Sequence, residues 1–442
     1  MTGSGTLLAH GVGSKQDLPI PFSFVVVGAA VALVVSFLAL MFLWREPRLD
    51  TVGAGRPLPA GLRRALDSRV TRNLLRLLGL VITAYVALAM VFGKDDALNP
   101  TATVVYVLFW VGIPLLSVVL GPVWKLLNPI RTLHLLLSRA MGTRPEDGLA
   151  PLPAWVGYWP AAASLFAFVW MELIAPNRAT LPTLRLFFAI YLAVHLLAGT
   201  YFGSRWFDRG DGFEVFSSLL GRLSVLGRRG DGVLVLRNPL EGVAGAPQAP
   251  GLFAVVGVLL GSTVFDSLSS APSWVNFAQT NALGPQRTAT LGLVLVVGVV
   301  TAAFFGASAL SGRGTGHPPM QLAQEFAHSL VPIVAGYFVA HYWSLLVIVG
   351  QQSLILLSDP LGTGADWLGT GGRGIDATLA GPTTTAVIQV CAVVLGHVLG
   401  VVLAHDRAVA LLPRRHAIRG QIPLLALMVG YTVGGLVLLF AS

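Results

Sequence analysis

Charge is scarce in this sequence: Asp, Glu, Lys and Arg make up 11% of its 442 residues, against about 25% in soluble globular domains. A conventional soluble domain is thereby excluded. Cysteine is scarcer still. Cys391 is the only one and lies in an apolar stretch, so neither an intrachain disulfide nor a cysteine-based zinc site can form. Several motifs with a known chemistry are also missing. The chain has no H-E-x-x-H, no G-x-S-x-G elbow and no glycine-rich dinucleotide fingerprint in a usable context, and it has no phosphate-binding loop, which argues against ATP-driven transport by this chain alone. No fixed-period repeat and no pair of related halves is visible, which argues against transporter folds built from internal repeats. Residues 1–19 carry no basic cluster, and the apolar run 20–44 is longer than a signal-peptide core and has no convincing cleavage site. It reads as a retained first helix.

What is present is apolar length. Hydrophobic residues make up 55% of the chain and the mean hydropathy is +0.75, values of an integral membrane protein. The 50 glycines and 27 prolines would signal disorder in a soluble chain. Membrane helices tolerate both, because neighbouring helices satisfy the freed backbone groups and glycine lets backbones approach. A helix needs about 20 apolar residues to cross a bilayer. Stretches of that kind run over 20–44, 74–93, 102–120, 154–174, 183–203, 251–266, 288–311, 326–349, 384–404 and 423–440. The expectation is an all-α, polytopic bundle of about ten spanning helices, one membrane domain over 1–442. Residues 1–19 form an outer N-terminal segment and 204–250 the longest cytoplasmic loop.

The net charge of +9 is informative through its distribution. Cytoplasmic loops hold the excess of Lys and Arg, and here alternate loops are rich in them: Arg45 to Arg72 after the first span, Lys125 to Arg144 after the third, Arg205 to Arg237 after the fifth, Arg313 after the seventh, and Arg407 to Arg419 after the ninth. The opposite loops hold only Lys15, Lys94, Arg178, Arg287 and Arg373. A missed or invented helix would scramble this alternation. It places both termini outside the cytoplasmic membrane and assigns the arginines to topology and anionic lipid, with no nucleic-acid partner. Residues 124–141 mix basic and apolar positions around Pro129 as an interfacial helix would, with His134 at the membrane surface. An amphipathic helix is expected near 213–226, followed by VLVLRNPL, which alternates like a strand. The G-x-x-x-G pairs Gly396/Gly400 and Gly430/Gly434 signify close packing, within the bundle or between subunits of a homo-oligomer.

Polar groups inside apolar runs are default candidates for function. The stretch 325–367 places Tyr337, His341 and Ser344 on one side of a helix, whereas His328 points elsewhere. His195 and His397 fall at a similar depth on two helices, and so do His328 and His405. Either pair could ligate haem iron or another metal, and each ring could equally hydrogen-bond a neighbouring helix. At the outer face Glu172, Asp266, Asp359, His10 and Asp17 could gather around a divalent cation and activate water. Loop acids are also commonly solvated, and Asp359 before Pro360 suits a turn. For acid–base work the candidates are Asp266, Asp359, Glu172, His341 and Tyr337. Trp170, Trp274 and Trp367 read as an interfacial aromatic belt.

Several segments carry a resemblance: AHGVGSKQDLPIPF at the start, GPVWKLLNPIRTL, EVFSSLLGRLSVLGRRGDGVLVLRNPLEG, the GSTVFDS corner, HSLVPIVAGYFVAHY with SDPLG, and GHVLGVVLAHDRAV followed by MVGYTVGGL. Together they resemble actinobacterial polytopic membrane proteins, many of which carry the label fenitrothion hydrolase. That resemblance implies a membrane-embedded hydrolase of apolar, organophosphate-like esters, working through a metal-bound or acid-activated water at an outward-facing site. Two further readings stand beside it. One is a secondary carrier of a small solute, with Tyr337, His341, Ser344 and Gln351 along the path. The other is a redox protein with haem or copper on His195 and His397.

Overall fold

An apolar medium offers backbone N–H and C=O groups no partner, so a chain this apolar must satisfy them within helices. A computed structural model, which describes residues 15–413, 416 and 419–440, is built in that way. Among the described residues ten helices are long and apolar enough to cross a membrane: α1 Phe22–Leu43, α2 Arg69–Phe92, α3 Pro100–Leu120, α4 Ala154–Leu173, α5 Leu181–Phe202, α6 Leu252–Ser269, α7 Pro285–Ser311, α8 Pro319–Leu356, α9 Pro382–Leu411 and α10 Arg419–Leu439. They match the ten expected stretches one for one. Seven of them, α3, α4, α5, α7, α8, α9 and α10, carry proline in the first turn of a helical segment. There its missing N–H has no helical partner to lose, which explains much of the proline content.

The helices differ in how much of them the bundle encloses. Burial covers 83% of the most apolar window of α6 but 11% of that of α2. The first is therefore enclosed in the bundle and the second is peripheral. Helix α6 lies against α4, α7 and α8. Helix α8 lies in turn against α9, at a distance set by glycine: a Cβ on Gly396 would stand 2.6 Å from the Pro332 carbonyl oxygen, and one on Gly400 2.8 Å from that of Ser329. The middle of α3 is wound as a π-helix over Val104–Gly112, a rare form that recurs at functional places. It turns Trp110 against Phe338 of α8, with ring centroids 5.7 Å apart.

The longest loop between spans is more deeply placed than its sequence suggests. It contains the short helix Gly212–Leu220, near the expected position, but this helix is buried on nearly every side and does not lie on a surface. Phe213 and Phe216 reach Trp110 of α3, and Phe216 also packs on Phe338 of α8. The same loop supplies two strands of a small antiparallel sheet, β2 Leu226–Arg228 and β3 Leu234–Leu236, with β1 Arg56–Pro57 paired to the other edge of β3. The helix expected around Pro129 breaks into Trp124–Leu127 and Pro129–Ala140, with Asn128 capping the second part. His134, expected at the membrane surface, is buried against Phe207.

Candidate functional site

Because α6 is surrounded, buried polar residues near its C-terminal end must find partners on neighbouring helices. Asp266 and Ser267 are both buried, and their partners come from one face of α8, where Tyr337 and His341 stand one turn apart. His341 Nε2 lies 2.8 Å from Asp266 Oδ2, and the Tyr342 hydroxyl donates to the same oxygen at 3.3 Å. The other ring nitrogen, Nδ1, lies 3.3 Å from Ser267 Oγ, which is itself 3.1 Å from the Tyr337 hydroxyl. The Tyr337 and His341 rings are nearly parallel, 9° apart. A carboxylate can only accept, so in the neutral ring Nε2 carries the proton and Nδ1 is left basic toward Ser267. The arrangement is a relay: carboxylate, imidazole, serine hydroxyl, phenol.

Glu172 stands at the end of α4. It is buried and makes no hydrogen bond among the described residues; its charged neighbours are Asp266 and Arg178. Arg178 donates to the Leu173 carbonyl, and its own carbonyl accepts the Tyr106 hydroxyl at 2.6 Å. Of the five candidates for acid–base work, the structure therefore brings Asp266, His341 and Tyr337 together, with Glu172 beside them.

Asp359 does not join them. It lies in the exposed loop after α8, where its carboxylate accepts the backbone N–H groups of Thr363 at 2.9 Å and Gly364 at 2.7 Å. The Thr363 amide is the main cause holding this carboxyl below the usual carboxylate range, with Gly364 adding to it. This is the turn-forming use of an aspartate before proline. Asp17 sits in the single turn Lys15–Asp17 ahead of α1, and His10 lies outside the described residues. Among the described residues no three His, Cys, Asp or Glu side chains gather as ligands.

The histidine pairs separate. His195 on α5 accepts from Trp206 Nε1 at its Nδ1, 3.0 Å away, and packs on Tyr191. His397 on α9 points its Nδ1 at the Val393 carbonyl, 2.8 Å away, in a part of the bundle formed by α6, α8 and α10. The partners of the two rings are different residues on different helices. His328 is bonded through Nδ1 to the Glu325 carbonyl, whereas His405 ties α9 to Gln421 and to the Trp44 carbonyl. Gln351, expected along a solute path, instead staples the loop after α8 through both main-chain polar groups of Asp376.

A second buried polar group went unforeseen. Asp211 caps the short helix Gly212–Leu220 by accepting the Glu214 N–H, and it also accepts from the Tyr191 hydroxyl at 2.7 Å and from Asn128 Nδ2 at 2.8 Å. Glu214 takes a two-pronged bond from Arg131, at 2.9 and 2.6 Å. Burial, together with the charges of Asp211 and Asp208, outweighs Arg131 and pushes the Glu214 carboxyl up to about 7. This network anchors the inserted helix. A carboxylate inside the apolar run GFEVFSSLL was the signal that this helix has a buried charged face. Ser267 was overlooked for another reason: no motif marks a serine that follows an aspartate on one helix. No protein-family model, curated protein or solved structure matches the chain, so its own geometry carries the functional reading.

Proposed function

We propose that the protein is a multipass protein of the cytoplasmic membrane with both termini outside, and that it hydrolyses apolar esters at the Asp266–His341–Ser267 relay near the outer ends of α4 and α6. The observation that carries the reading is the bridging position of His341, with a carboxylate on one nitrogen and a hydroxyl on the other. Asp266 fixes the tautomer and His341 Nδ1 takes the Ser267 proton as Oγ attacks the carbonyl carbon or phosphorus. The same nitrogen returns that proton to the leaving alkoxide or phenoxide, and then activates the water that cleaves the seryl ester. Tyr337 orients the Ser267 hydroxyl. Burial of the relay suits a substrate that partitions into lipid. It also accords with the likeness to proteins labelled fenitrothion hydrolase.

A second reading, a proton-coupled carrier, is favoured by one feature: the two acids Glu172 and Asp266 are buried beside each other, as acids in proton relays are. The two readings diverge at Ser267. In nanodiscs, wild-type protein should cleave a nitrophenyl dialkyl phosphate or a nitrophenyl acyl ester and should be labelled by a fluorophosphonate at Ser267, seen by peptide mass. Ser267→Ala and Asp266→Asn should each lose both signals. Absence of ester cleavage and of labelling in folded protein would overturn the hydrolase. Proton-coupled solute flux that survives Ser267→Ala and disappears in Asp266→Asn would establish the carrier.

A further inference from the structure

The two G-x-x-x-G pairs do different things. Gly396 and Gly400 meet the backbone of α8, as such pairs do. A Cβ built on Gly430 or Gly434 meets nothing within 4 Å. In front of these two glycines lies a cavity of about 140 Å³ between α6, α7, α8, α9 and α10, walled by Leu260, Val300 and Ile333 and by the rings of Tyr337, His397 and Tyr431. Gly430 is exposed on the flank of the bundle, so the space opens sideways onto the apolar surface and away from the loops.

One polar atom in this wall has no partner among the described residues. The Tyr337 hydroxyl is engaged by Ser267, and the Tyr431 hydroxyl donates to the Val300 carbonyl at 2.7 Å. His397 is 1% exposed and its Nε2 has no partner among the described residues, although a buried polar group left unpaired costs about 1–3 kcal/mol. The ring's other nitrogen faces its own helix and bonds the Val393 carbonyl, an acceptor, so Nδ1 must carry the proton. Nε2, on the opposite edge, is then an acceptor. Its missing partner is a donor. Among the described residues no three ligating side chains gather to hold a metal ion, and of the donors that could serve, O–H and N–H, a hydroxyl is the one that enters an apolar, lipid-facing cavity at the lower desolvation cost.

Size narrows the class further. An apolar cavity of about 150 Å³ accepts benzene, so the space suits one six-membered ring, and aromatic walls favour an aromatic ring. We propose that this cavity binds the phenolic ring of a lipid-soluble phenol or quinol, with its hydroxyl donating to His397 Nε2, its ring between Tyr337 and Tyr431, and its tail leaving past Gly430 into the acyl chains. The inference is independent of ester cleavage at the relay.

The test uses full-length protein in nanodiscs and fluorine NMR, with empty nanodiscs subtracted, and compares para-fluorophenol with para-fluoroanisole, which has the same ring but no donor. Wild-type protein should bind the phenol saturably and the ether roughly tenfold more weakly, the value of one hydrogen bond. His397→Leu should erase that difference, and Gly434→Leu, which fills the space while favouring the helix, should abolish binding of both. Equal affinity for phenol and ether in wild-type protein would overturn the proposal, as would saturable binding that is unchanged in a folded Gly434→Leu variant. The comparison of the two probes on wild-type protein decides the matter even if a variant fails to fold.

Discussion

His341 has two nitrogens and two unlike partners, and their order sets its chemistry. With Asp266 on Nε2 the basic nitrogen faces Ser267, so Asp266→Asn, which can donate as well as accept, should misdirect the ring and lower ester turnover about 10²- to 10⁴-fold, the range of a positioned base. Tyr337→Phe removes one bond to Ser267 and should cost turnover about tenfold, with substrate affinity little changed. Both are measured as kcat and KM on protein whose helicity and elution are those of wild type. Glu214 offers a check on stability. Its carboxyl is raised from 4.5 to about 7, so the folded state holds a proton that the unfolded state has released. The group's contribution is therefore full below about 4.5 and is lost as pH rises through about 7. Thermal unfolding in detergent should accordingly show a midpoint that falls between pH 5 and pH 8 (roughly the window these values define). Glu214→Gln should flatten that slope.

At the scale of helices, the small-residue seam between α8 and α9 makes a sharp prediction. A Cβ at Gly396 already stands 2.6 Å from a carbonyl oxygen, so Gly396→Leu must push the pair apart or strain it, at a cost of about 1–3 kcal/mol. A lower unfolding midpoint than that of Gly434→Leu, measured side by side, is the expected result. The same comparison shows where the sequence is legible and where it is not. The spacing of glycines at 396/400 and 430/434 is identical, yet one pair touches a helix and the other a cavity, because spacing records one helix face and says nothing of what lies opposite. The helix at Gly212–Leu220 teaches the same lesson: its apolar periodicity was visible, while the aromatic wall of Trp110 and Phe338 that covers it comes from residues over 100 positions away in sequence.

For the whole molecule, length and hydropathy were enough to locate all ten long helices, since each is a local run with its own composition. Alternating arginines add the proposed orientation. The meeting of Asp266 with His341 was not legible, because both were visible as polar groups in apolar runs but the pairing of α6 with α8 is a property of the bundle. Orientation has a direct test. With Cys391 replaced by serine, a single cysteine placed at Asp17 should react with an impermeant maleimide added to intact cells, whereas one at Arg229 should react only after lysis; the reverse pattern would invert the topology.

The buried placement of Gly212–Leu220 also sets an order of assembly. This helix is made after α5, but one of the walls it leans on, Phe338 of α8, emerges from the ribosome more than 100 residues later. Until then its aromatic face has no cover on that side. On the proposed orientation, chains truncated after α7 should therefore be cut by protease within 204–250 in inverted vesicles, and chains extended through α8 should resist, as a latch that closes only once the eighth span is in place would.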